Sequence, residues 1–225
     1  MEILNDTLNW KFNLEIENSY IITIKGHAKS EEMAQRCLNS CIMVGQKASI
    51  WDAFDGTSEN IIIPEHSRNL SHIKWLKLLN FNLTRPEICC FLSHFSLWCR
   101  CIELDQPIVA LEHDAVMIRP YTHHNVLNSI VYLGSSEMIK SNYWNPIPPH
   151  AQMCHNFRYI LRTHAYAIDP IVAKNLVAKT IEKGIYTAVD VFMKIPEFSI
   201  VCFGIFAGDA KGETTIPEND MKYKQ

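Results

Sequence analysis

The chain has 225 residues, 48% hydrophobic and 20% charged, with a net charge of −3. That length supports one large globular domain with a sizeable core, and the slightly acidic balance argues against a sequence-independent grip on nucleic acid. No apolar stretch approaches the ~18 residues of a membrane span, and Met-Glu-Ile-Leu-Asn-Asp at the amino terminus lacks the pattern of a signal peptide. The eight cysteines are therefore read as thiols in a reducing cytoplasm.

Residues 10–16 alternate apolar and polar, which is strand periodicity. Tyr20–Ile24 reads as a second, more buried strand, so 1–18 is an additional amino-terminal strand segment. Ser30-Glu31-Glu32 opens a helix to about Met43. Ala48–Trp51 is a short strand that runs into the turn Asp52-Ala53-Phe54-Asp55-Gly56. A short helix is predicted over His72–Leu79. Thr84-Arg85-Pro86-Glu87 is a strong helix start, with Thr84 as cap and Glu87 completing a capping box. That helix runs to about Glu103 and buries Ile88, Phe91, Leu92, Phe95, Cys99 and Ile102. Ile108-Val109-Ala110-Leu111 is an apolar strand that stops at Glu112-His113-Asp114.

Asn128–Leu133 is another apolar run. Residues 135–158 have no periodicity and hold three prolines, which predicts a functional loop or lid. Thr163–Ile168 is a strand, Asp169-Pro170 caps a helix to Lys183, and Gly184 stops it. Ser199–Phe206 is the last strand. The domain spans 1–206, with 207–225 a loose tail. Strands alternate with helices, which predicts an α/β fold with a mostly parallel sheet flanked by helices.

The strand end at Glu112-His113-Asp114 places two carboxylates where open α/β sheets bind ligands. Two carboxylates ~4 Å apart repel by roughly 1 kcal/mol in water and by more in a drier site. A proton, a basic side chain or a hard divalent cation relieves this, and oxygen ligands favour Mg²⁺ or Mn²⁺. The alternative is that both acids only solvate the strand end.

Four segments in order resemble glycosyltransferase family 25, the lipopolysaccharide and collagen sugar-transfer family. They are Trp51-Asp52-Ala53-Phe54-Asp55-Gly56; Glu87-Ile88-Cys89-Cys90-Phe91-Leu92-Ser93-His94 with Leu97-Trp98; Leu111-Glu112-His113-Asp114; and Thr163-His164-Ala165-Tyr166 with Ala173, Leu176 and Val189-Asp190. The resemblance implies a GT-A-like, Rossmann-type sheet that binds a nucleotide sugar, a divalent metal on the acidic motif, and an inverting transfer from a nucleotide-diphosphate donor, commonly a UDP-sugar. The acceptor would be a glycan, a lipid-linked saccharide or another hydroxyl. Three departures stand out. Thr23 occupies the place of an Asn and the following Arg is missing, with Lys25 and Lys29 nearby. His113 replaces a central Asp, and Arg162 a Gly.

On that reading Asp114 is the direct metal ligand, with Glu112 either a second ligand, a contact to the donor sugar, or active through water. Asp190 is the candidate base for the acceptor hydroxyl, with a helix cap as the alternative. Asp55 and Gly56 are candidates for the ribose or base, against a plain turn. Thr23, His94 and His164 are further candidates for donor binding, with core packing as the competing reading for a strand histidine. Tyr143 and Trp144 are candidates to stack on an acceptor sugar, or to anchor their loop. Two rival functions remain: a binding protein of the same fold without turnover, and a metal-dependent phosphohydrolase.

Overall fold

The computed structural model describes residues 16, 18–57, 60–68, 83–121, 128–134, 152–153, 163–194 and 197–209. The strand at 10–15, the helix over 72–79, Tyr143, Trp144 and the tail beyond 209 lie outside the described residues, as does all of the 135–158 loop except 152–153. Six cysteines among the described residues are free thiols. No helix among the described residues is long and apolar enough to cross a membrane.

The elements run β1 (Asn18–Thr23), α1 (Ala28–Val44), β2 (Ala48–Asp52), a 3₁₀ turn (Glu65–Ser67), α2 (Arg85–Leu104), β3 (Ile108–Glu112), β4 (Ala115–Met117), β5 (Ile130–Gly134), β6 (Gln152–Met153), β7 (Ala165–Ile168), α3 (Pro170–Lys183), α4 (Val189–Phe192) and β8 (Ile200–Asp209). The strands form one sheet in the order β2-β1-β3-β7-β5-β8-β4, with β6 beside β8.

The sheet is mixed, which corrects the expectation of a mostly parallel one. β1 pairs with β2 and β3 in parallel, as the helical crossovers α1 and α2 require. β7 is inserted antiparallel between β3 and β5. All four residues of β7 are buried. A strand covered on both faces shows the same apolar run in either direction, so its polarity left no mark in the sequence. β8 runs three residues past Phe206, the strand end expected from the sequence, and pairs Ala207–Asp209 with β4.

Each face of the sheet has its own core. Ile21, Val109, Leu111, Ala165 and Ala167 pack with α1 residues Ala34, Cys37 and Cys41. Ile22, Ile108, Ala110, Tyr166 and Ile168 pack with Phe91, Phe95 and Trp98 of α2 and with Val172, Ala173 and Leu176 of α3.

α2 begins as expected. Glu87 N–H donates to Thr84 Oγ1 at 3.3 Å, and Thr84 N–H donates to Glu87 Oε2 at 2.8 Å. The expected one-sided apolar stripe is too narrow, because every residue from Phe91 to Cys99 is buried. Sheet and α3 enclose this helix. Its polar residues must therefore find partners inside the protein, and those bonds build the site.

Candidate active site at the end of strand β3

Strand alternation sets which side chains meet. Ile108 and Ala110 face α2, so Glu112 does too. α2 presents His94, which is fully buried, to the Glu112 carboxylate, whose side chain keeps 27% exposure. Hydrogen-bond valence fixes the first link in the chain of contacts, and the His94 tautomer sets the others. Trp98 Nε1–H can only donate, and it donates to the Tyr166 hydroxyl oxygen at 3.0 Å. With His94 protonated on Nε2 alone, the Tyr166 hydrogen goes to Nδ1 at 2.9 Å. The ring proton is left on Nε2, which donates to Glu112 Oε1 at 3.1 Å. Thr163 Oγ1–H donates to the same oxygen.

Burial pushes the Glu112 carboxyl up, but the His94 hydrogen bond and charge, the Thr163 hydroxyl and the charge of His164 outweigh it and hold the group down at about 2. Glu112 is thus a fixed carboxylate at neutral pH. A group so acidic is a poor proton acceptor, so this acid is suited to binding positive charge or hydroxyls rather than to general-base work.

Gly56, Cys89, Cys90, His94, Glu112 and Asp114 line one cleft of about 110 Å³. Asp114 sits in the two-residue turn between β3 and β4 and enters that cleft with Glu112. Burial raises the Cys90 thiol well above its usual value, and the charges of Glu112, Asp190 and Asp114 raise it further. All three carboxylates therefore act on Cys90.

His113 turns toward the start of α1. Ser30 Oγ accepts from Ile24 N–H at 2.9 Å and shares a hydrogen bond with His113 Nδ1 at 3.0 Å. Burial, together with His27, Lys29 and Arg36, lowers the His113 pKa against the pull of Glu112.

The turn after β2 is held by α2. Phe54 N–H donates to Ser93 Oγ at 3.0 Å. Asp55 Oδ1 accepts from Thr57 N–H at 2.8 Å, which is turn chemistry. A Cβ on Gly56 would stand 2.8 Å from Arg85 Cγ and 2.9 Å from Cys89 Sγ. Gly56 lines the cleft, whereas the Asp55 carboxylate serves the turn.

Thr23 is a correction. Ile22 and Ile24 line the cleft, so Thr23 points to the opposite sheet face, where it is buried and donates to Ile21 O at 3.1 Å. It is not placed to hold a donor. His164 is buried with its ring edge-on to Tyr132 at 5.8 Å and fills the space over Gly134. Its packing is that of a core residue, and it reaches the site through its charge on Glu112 and through its carbonyl, which accepts from Glu112 N–H at 2.8 Å.

Asp190 is the second residue of α4, whose cap is Ala188, so it is not the helix cap. Its Oδ1 accepts from Val191 N–H at 2.8 Å. α3 fixes this short helix: Lys179 donates to Phe192 O at 3.2 Å and its ammonium lies 4.3 Å from the Phe192 ring centre.

Tyr166, Trp98 and Thr163 carry the contacts behind Glu112, and sequence reasoning gave none of them a role. The available signal was the spacing of Trp98 four residues after His94, which places both on one helix face.

Residues 16–120 match the family model described as "Glycosyltransferase family 25 (LPS biosynthesis protein)". The chain carries a family 25 glycosyltransferase segment. The match takes in β1 through β4, and so the Asp55-Gly56 turn, the Ser93-His94 pair and the Glu112-His113-Asp114 motif. It places the chain among glycosyltransferases. No curated protein matches the sequence significantly. Among solved structures, a glycosyltransferase involved in the glycosylation of the major capsid of PBCV-1 aligns over 88% of this chain and 94% of its own, at 9% identity and a TM-score of 0.39. A likeness that slight carries no argument about the site.

Proposed function

We propose that this family 25 glycosyltransferase moves a sugar, with inversion, from a nucleotide-diphosphate donor of the UDP type to a hydroxyl of a glycan or lipid-linked saccharide. The observation that carries the reading is the convergence of Gly56, His94, Glu112 and Asp114 on one cleft at the end of β3. The parallel β2-β1-β3 half, crossed over by α1 and α2, supports a GT-A-like arrangement with the ligand at the carboxyl ends of the strands.

The residues fit a hard divalent cation, because Glu112 and Asp114 offer carboxylate oxygens to one cleft and Glu112 is held ionised. These two acids would hold Mn²⁺ or Mg²⁺, which when bound supplies Lewis-acid neutralisation of the diphosphate leaving group. Glu112 cannot swing away, since His94 and Thr163 both hold Oε1. The Gly56-Thr57 turn borders the donor's side of the cleft, with Gly56 packed against Arg85 and Cys89. Asp190 takes the acceptor hydroxyl proton as the glycosidic bond forms. Tyr143 and Trp144 supply the acceptor platform.

A thermal-shift screen of nucleotide sugars with and without Mn²⁺ tests this reading. A ligand bound only by the folded chain raises the melting temperature by mass action. A UDP-sugar that shifts the transition only with Mn²⁺ is the expected result. Failure of every nucleotide sugar in the presence of Mn²⁺ would contradict it. A shift without product formation would point to the binding protein without turnover.

A further inference from the structure

We propose that Cys90, His94 and Glu112 form a binding site for a borderline-soft divalent cation of the Zn²⁺ class, on the wall of the donor cleft. The Cys90 Sγ, a His94 ring nitrogen and a Glu112 carboxylate oxygen all lie within 4.8 Å of one another. Cys90 and His94 are four residues apart on α2 and therefore share a helix face. Glu112 comes from β3 opposite, with His94 Nε2 and Glu112 Oε1 already at 3.1 Å. Tetrahedral zinc, with bonds of about 2.0–2.3 Å to nitrogen, oxygen and sulfur, asks for ligand atoms roughly 3–4 Å apart. The three atoms need only a small closing movement of Cys90.

The second layer of such a site is also present. A ligating histidine is usually oriented through its other ring nitrogen, and a ligating carboxylate through a hydrogen bond. Tyr166 sits on His94 Nδ1 and Thr163 on Glu112. Both ligands are thus oriented by groups that face away from the cleft. The surrounding field favours a cation, because Glu112, Asp190 and Asp114 all act at Cys90.

The proton balance is simple. The cation replaces the Cys90 thiol proton, which leaves to solvent. The His94 proton moves from Nε2 to Nδ1, where the Tyr166 oxygen accepts it alongside the Trp98 N–H. Binding therefore releases one proton per ion, and the fourth position opens to the cleft, where water completes the tetrahedron. This donor set of sulfur, nitrogen and oxygen differs from the carboxylate pair Glu112 and Asp114, but Glu112 is common to both. If Glu112 serves the donor as proposed above, an ion here excludes the hard cation and inhibits transfer; that consequence rests on the proposed function, whereas the site itself does not.

Co²⁺ titration of the full chain under reducing conditions tests the site without reference to activity. One Co²⁺ per chain is expected, with the visible bands of a tetrahedral ion, a thiolate-to-cobalt charge-transfer band in the near ultraviolet, and displacement by Zn²⁺. The charge-transfer band disappears in Cys90→Ser and persists in Cys41→Ser. Affinity falls at least tenfold in Glu112→Gln. Absence of the band in the wild-type chain, or its survival in Cys90→Ser, overturns the proposal. X-ray absorption of the zinc-loaded wild-type protein gives a decision that depends on no variant: one sulfur in the coordination shell is expected, and none, or two or more, contradicts the site.

Discussion

Tyr166 sits between two groups that both need its hydroxyl. It accepts from Trp98 and donates to His94, and all three side chains are fully buried. Tyr166→Phe removes the oxygen and leaves the indole N–H and His94 Nδ1 without partners. The expected loss is about 1–3 kcal/mol, the usual cost of stranding buried polar groups, read as a lower urea midpoint at unchanged slope. A variant as stable as wild type would show that the chain of contacts does not order the core. At Glu112 the expectation differs. Glu112→Gln keeps the shape and can still accept from His94 and Thr163, so the fold survives. Mn²⁺-dependent UDP affinity should fall at least tenfold, as should that of Asp114→Asn, since each loses a charge facing the cleft. Calorimetry with unchanged affinity in both variants would remove the acids from donor binding.

α2 is the element that connects fold and site. Its start was legible because Thr84 and Glu87 complete a local motif whose physics needs nothing beyond four residues. Thr84→Ala should cost about 1 kcal/mol of stability by thermal or urea melting. The burial of α2 was not legible as a whole. Ser93, His94 and Ser96 read as a polar interruption in the sequence, yet each is buried because α3 and the sheet close over them. His94 was a candidate through the family resemblance, whereas its partners Tyr166 and Glu112 are 72 and 18 residues away, beyond any local pattern. Gly134 directly follows the apolar run Asn128–Leu133. An added Cβ there would meet the His164 ring at 2.2 Å, so Gly134→Ala should destabilise by about 1–3 kcal/mol through overpacking of the core beneath the site. Equal melting midpoints would mean that the His164 ring can move aside.

At the scale of the molecule, the strand end carrying Glu112 and Asp114 was readable because a continuous apolar run stops abruptly at charge. The strand directions were not, since β7 and β5 are short and buried on both faces. pH provides a global check. Burial lowers the pKa of both His66 and His113 below 6.5 in the folded chain. Between those folded values and 6.5 the unfolded chain binds more protons, so stability falls as the pH drops below about 6.5. The depressed Glu112 adds a second loss, which begins near its ordinary value of 4.5 and is complete as the pH passes its folded value of about 2. Melting temperature against pH should therefore decline in two stages. His113→Asn should shrink the first stage to the share of His66 and leave the second unchanged.

The central claim is that the cleft at the end of β3 transfers sugar from a nucleotide donor, and the most direct measurement is the release of UDP from UDP-sugars in the presence of Mn²⁺. The wild-type chain should release UDP from at least one UDP-sugar, with chelator abolishing the release, and Asp114→Asn should lose it while keeping its melting transition. Release that persists undiminished in Asp114→Asn would contradict the account, because the reaction would then be taking place somewhere other than this cleft.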